Sequence, residues 1–222
     1  MFRKRDQHLE TEVAGLVFPN PAGVPYVLKE HRHFKCFFKS PKAGFLVLMP
    51  PRENILPWIK SLKSEPDSTV LAVDIHSDIV RTFSLVYDFA DLIIIDPDSD
   101  QGIGAADISD TQQLLDELVS LRLCYEHYTP VFLHLSHGIS HEELEALLGT
   151  CQLNGLDGVV APNLAMLGQI REMTLGRIPV ACMASTPEDA LQALENQASL
   201  VILTSSKGLN KLLNSLENKQ IV

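Results

Sequence analysis

Three groups of acidic and imidazole side chains stand where apolar runs of the sequence end. Asp74 and His76 follow TVLAV, Asp96, Asp98 and Asp100 follow LIII, and His134, His137 and His141 lie in and after VFLHLS. Carboxylates and imidazoles converging on one face are the donor set of a divalent metal, which would activate water for hydrolysis. Asp74, Asp96 and His134 are the ligands that a metal-dependent hydrolase would use. Asp and His beside Gly and Ser are also common helix caps and turn residues, which is the ordinary explanation of the same pattern. The run DPDSDQGIGAAD mimics a calcium loop through Asp96, Asp98, Asp100 and Asp107. Its turn glycine comes one place late, at Gly102, and the preceding LIII reads as a strand where an EF-hand needs a helix. Ser99 could act as a base only with a partner for its proton, Asp98 or Asp100. His31 and His33 in KEHRHFKCFFK suit a phosphate contact or a surface turn.

Such residues act together only if the chain brings them to one place, and the apolar pattern says how. Short, continuously apolar runs alternate with longer stretches of helical period, the signature of βα units on a parallel sheet. The strands are expected over 21–28, 44–50, 69–76, 92–97, 129–136, 158–162, 178–184 and 200–205, with VAGLVF at 13–18 as an extra strand. Helix starts are expected at Ser77, Asp110, Ser140 and Thr186-Pro187, and a last helix over SKGLNKLLNSLEN. Eight parallel strands with right-handed crossovers close into a (β/α)8 barrel of the TIM type, for which about 200 residues is the low end of length. The competing open, doubly wound sheet wants a G-x-G-x-x-G turn after its first strand, and PNPAGVPYVL has none. One domain over 13–222 follows, with 1–12 as an N-terminal extension.

With 28 acidic against 18 basic residues and a net charge of −10, a nucleic-acid or anionic-membrane partner is disfavoured. The four cysteines, Cys36, Cys124, Cys151 and Cys182, form no C-x-x-C pair, so neither a zinc knuckle nor a disulfide framework is expected. No apolar run approaches the roughly 18 residues needed to span a bilayer. The expectation is a cytoplasmic protein.

The segments VAGLVFPNPAG, FSLVYDFADLIII, NGLDGVVAPN and GRIPVACMASTPEDALQALENQASLVILTSS follow one another in an order that resembles the dihydroorotate dehydrogenase family, over residues 13 to about 216. The resemblance implies a barrel that holds flavin mononucleotide (FMN) at its strand ends and oxidises dihydroorotate in pyrimidine synthesis. It also implies Ser99 as the catalytic base, substrate contacts at Asn20, Asp96 and Asn163, and flavin contacts at Lys29 and His134. The phosphate cradle it implies comprises Ala184, Ser185, Thr186, Ser205 and Ser206, with Gly208 beside them. LAMLGQIREMTLG stands where the family has its substrate lid, cut short.

The departures from the pattern fall on the chemistry. Asp96 replaces an Asn, His134 replaces the Lys that touches the flavin ring, and Ala184-Ser185 replaces the Gly-Gly turn whose backbone wraps the phosphate. Carboxylates facing an anionic orotate-like substrate are repulsive, a neutral imidazole stabilises a reduced flavin less than an ammonium does, and a Cβ obstructs close backbone approach. The expectation is a dihydroorotate dehydrogenase-like barrel with lost or altered activity. The alternatives are a non-catalytic binding or regulatory partner of a complete dehydrogenase and the metal-dependent hydrolase above. A small-molecule ligand at the carboxyl ends of the strands is expected, and a homo-oligomer or a complex with a related enzyme is compatible with the sequence.

Overall fold

The computed structural model describes residues 9–27, 42–49, 69–97 and 108–219. Two short strands, β1 (Thr11–Val13) and β2 (Leu16–Phe18), pair antiparallel. They are followed by β3 (Ala22–Val27), β4 (Phe45–Met49), β5 (Val70–Ile75), β6 (Leu92–Ile95) and β7 (Val131–His134). The last three are β8 (Gly158–Ala161), β9 (Val180–Ala184) and β10 (Leu200–Leu203). Strands β3 to β10 run parallel in chain order, and β10 returns to β3 to close the barrel. The open-sheet alternative is thereby excluded, and each of the eight strands lies inside the range expected from its apolar run.

Among the described residues the helices alternate with the strands as α1 (Ile79–Val86), α2 (Ile108–Arg122), α3 (His141–Leu153), α4 (Leu164–Thr174), α5 (Pro187–Glu195) and, after β10, α6 (Leu209–Lys219). Outward strand residues such as Leu46, Val73, Ile93 and Leu133 pack under them in one large core. Inward residues, including Phe45, Val47, Ala72, Ile94, Phe132 and Val160, fill the barrel. Space for the two phenyl rings comes from glycine. A Cβ on Gly23 would fall 2.3 Å from the Phe45 ring, and one on Gly158 would fall 2.5 Å from the Phe132 ring. Val13 and Phe18 close the barrel at the amino end, with Phe18 edge-on to Phe45 at 5.4 Å.

Three expectations are corrected. VAGLVF is not one strand but the last residue of β1, the turn and the second arm of the β1–β2 hairpin. Ala14 and Gly15 have φ of 52° and 78°, the positive pair that a tight hairpin turn needs. LAMLGQIREMT is not a lid but α4, the helix of the sixth βα unit, whose Met166, Leu167 and Ile170 are buried. Ser77 does not cap α1, because the cap position falls on Asp78, which is left-handed with φ 44° and makes no side-chain cap bond. Ser140 and Thr186 do cap α3 and α5, each within a reciprocal capping box. Asp110 lies in the first turn of α2, two residues after its start at Ile108.

Candidate functional site at the carboxyl ends of the strands

Side chains alternate across a strand, so the inward set Ala72, Ile94 and Phe132 continues to Asp74, Asp96 and His134. The register places these three on adjacent strands, since Asp74 pairs with Ile94 and Ile95 with Leu133. The Asp96 N–H donates to Ile75 O at 2.9 Å, carrying the ladder one residue past β6. His134 Nδ1 stands 3.4 Å from Asp96 Oδ2. Asp74 is the deepest, at 6% exposed, and burial pushes its carboxyl up to about 6. His134 and His76 oppose that shift, and the charge of Asp96 adds to it. The Oδ1 of Asp74 and the Nδ1 of His76 are buried without a hydrogen-bond partner.

An unpaired buried acceptor costs about 1–3 kcal/mol, so the cluster is held at the expense of stability. Among the described residues no group of three or more His, Cys, Asp or Glu is arranged to hold a metal. Among the described residues Asp74, Asp96 and His134 interact electrostatically, and the hydrolase alternative gains no described ligand set. His137 and His141 are exposed. Behind β7 a cleft of about 30 Å³, lined in part by Pro97, Thr111, Leu133, His134 and Glu143, has room for about two waters. The thiols of Cys151 and Cys182 are pushed up to about 12 and 11 by burial, which keeps them protonated and unreactive.

The other residues singled out in the sequence divide sharply. Asn163 stands at the carboxyl end of β8, but its Oδ1 accepts from Met166 N at 2.9 Å as the cap of α4. Asn20 is at the opposite, amino end of the barrel. Its Nδ2 donates to Lys42 O at 2.8 Å, and its Oδ1 accepts from Ala22 N and Gly44 N at 3.1 Å each. That place, remote from the strand ends, is a scaffold position and not a substrate contact. Ser99 and Lys29 lie outside the described residues, as do Asp98, Asp100, Asp107, His31 and His33.

The phosphate cradle can be tested against FMN directly. Ala184 is buried, while Ser185, Thr186, Ser205 and Ser206 are exposed. Thr186 Oγ1 accepts from Asp189 N, and Asp189 Oδ2 accepts from Thr186 N, both at 3.1 Å. Pro187 at the start of α5 contributes no N–H, and Glu188 and Asp189 place two carboxylates in the first turn. The helix N-terminus that would attract a phosphate is thus closed by the chain's own anions. Ser205 Oγ accepts from Lys207 N at 3.4 Å, and a Cβ on Gly208 would fall 2.7 Å from Pro187 Cγ, so the two loops press on each other. These residues do not fit a flavin phosphate. Asp189 was the member of this site that the residue pattern did not bring forward, although the T-x-x-D spacing of a capping box is legible in TPED.

No protein-family model matches the sequence, and no curated protein matches it. Among solved structures the chain is similar to DHODH from Eimeria tenella in complex with ferulenol, at a TM-score of 0.77 and 15% identity. That likeness covers 100% of this chain and 88% of the other. The ligand-free DHODH of the same organism gives a TM-score of 0.78 at 15% identity, covering 100% of this chain and 91% of the other. The fold is that of a dihydroorotate dehydrogenase-like (β/α)8 barrel. Among the described residues no helix is long and apolar enough to cross a membrane.

Proposed function

We propose that this chain is a dihydroorotate dehydrogenase-like barrel that has lost flavin chemistry and binds a small molecule over Asp74, Asp96 and His134. The observation that carries the reading is the closed N-terminus of α5, where Thr186, Asp189 and Pro187 occupy the donors and the space that a flavin phosphate needs. The other replacements agree with it. His134 brings an imidazole paired with Asp96 where a fixed ammonium would stabilise a reduced flavin. An orotate-like anion would face two carboxylates, and like charges about 4 Å apart near a protein surface repel by about 4 kcal/mol. What the barrel keeps is a concave, inward-facing end with an acid–base group, Asp74, whose carboxyl is held near 6. A cytoplasmic location accompanies this reading.

The test is optical. Purified protein is expected to show no flavin bands, to leave the fluorescence of added FMN unquenched, and to leave dihydroorotate unoxidised with fumarate, NAD or quinone. Stoichiometric uptake of FMN would sink the proposal.

A further inference from the structure

The described carboxyl end has an unmet need that its own side chains do not supply. Asp74 faces into the barrel at 6% exposed, and its Oδ1 accepts no hydrogen bond. Among the described residues the groups that act on it are His134 from β7, Asp96 from just past β6 and His76 from just past its own strand; β4 brings no titratable side chain to it, and no described Lys or Arg is among them. His76 Nδ1, also buried and unpartnered, adds a second atom that needs a hydrogen-bond partner. A buried carboxylate oxygen without a partner is rare in folded proteins, because its lost water is ordinarily replaced. Here a ligand is the available replacement.

The chemistry of that ligand is constrained from three sides. It must donate hydrogen bonds, because a carboxylate only accepts. It should carry positive charge, because the other charge of fixed sign among the described groups acting on Asp74 is a second carboxylate, and the chain as a whole stands at −10. Among the described residues the His, Cys, Asp and Glu side chains make no set that could hold a divalent ion, so an organic donor is the class that the described groups favour. A planar N–H fork meets a carboxylate through two parallel hydrogen bonds and is less strongly hydrated than an ammonium, so it enters a buried site more readily.

We propose that this end of the barrel binds a small organic cation of the amidinium or guanidinium type, with Asp74 as the anchoring carboxylate and Asp96 as the second negative group. The proposal rests on the flavin-free reading above and names the ligand class for that same site.

The experiment uses the full chain, with acetamidinium and benzamidine as probes, and tetramethylammonium, methylammonium and orotate as controls. Binding is followed by calorimetry and by the thermal unfolding midpoint. The expected result is saturable stabilisation by the two amidines, at least tenfold weaker binding of methylammonium, and none with tetramethylammonium or orotate. Asp74→Asn is expected to abolish amidine binding and Asp96→Asn to weaken it, while each variant keeps a cooperative unfolding transition. Equal amidine stabilisation of Asp74→Asn, or equal binding of methylammonium, would overturn the assignment. An FMN arm on the same sample separates the two readings. Flavin uptake counts against the function proposed above, whereas absence of both flavin and amidine binding counts against the ligand class alone.

Discussion

The two ends of the barrel treat their polar side chains in opposite ways. At the amino end, Asn20, Asp91 and Asp157 each reach across to a neighbouring strand and accept from the N–H of Gly44, Leu71 and Val131. Asp157 also takes Arg122 Nη2 at 2.8 Å and the Tyr128 hydroxyl, and the Arg122 guanidinium lies 4.1 Å over the Tyr128 ring. Apart from Arg122 Nε, the buried polar atoms at this end are partnered among the described residues. At the carboxyl end, Asp74 and His76 each keep a buried atom with no partner. The contrast separates groups spent on holding strands together from groups held ready for something else, a division that barrel enzymes generally show between their two faces.

The comparison can be broken most severely at Asp157. Asp157→Ala should destabilise the fold by about 3–5 kcal/mol, since it strands a mostly buried guanidinium and uncaps Val131. Denaturant unfolding at neutral pH measures it, and a loss below about 1 kcal/mol would remove the amino-end network from the account.

Asp74 should behave with the opposite sign. Folding raises its carboxyl from 3.8 to about 6, so the folded chain holds that proton more tightly than the unfolded chain does. Its favourable contribution is fully present below pH 3.8 and is lost as pH rises through about 6. The difference of 6 − 3.8 = 2.2 units corresponds to about 3 kcal/mol at most. Asp74→Asn is therefore expected to stabilise the protein at pH 7.5 by up to about 3 kcal/mol and to leave it nearly unchanged at about pH 3.5. Unfolding midpoints of the two proteins across this range test it, and a variant less stable than wild type at pH 7.5 would refute it.

Asn20→Ala removes one donor and one doubly used acceptor from the amino end and should cost about 2 kcal/mol in the same assay, with no effect on amidine binding. A change in ligand affinity would return Asn20 to the binding site. The smallest effect belongs to Thr186→Ala. Losing the cap of α5 should cost about 1 kcal/mol and should not recruit FMN, because Pro187, Glu188 and Asp189 remain.

Much of the architecture was legible without coordinates. The eight strands follow from continuous apolar runs, and the starts of α3 and α5 follow from Ser140 and from Thr186-Pro187. Each of those signals acts within a few residues. The β1–β2 hairpin was missed because its turn places Ala14 at positive φ, where glycine or asparagine usually marks the position. Helix α4 is less legible because its cap, Asn163, directly follows the apolar run of β8 and reads equally as a strand-end residue. The direction in which Asn20 would work was also hidden, since PNPAG reads the same at either end of a strand.

The sequence by itself determined the order of strands and helices, the barrel class and the caps of α3 and α5, because periodicity and capping are local. Only closure of the barrel decided what the strand-end residues became. It brought Asp74, Asp96 and His134, spread over 60 residues of chain, to one face, and buried Asp74 without a partner. It also turned Thr186 from a prospective phosphate ligand into the lock on α5, with Pro187 pressed against the next loop. Burial and partner choice depend on atoms distant in sequence, and no local pattern encodes them.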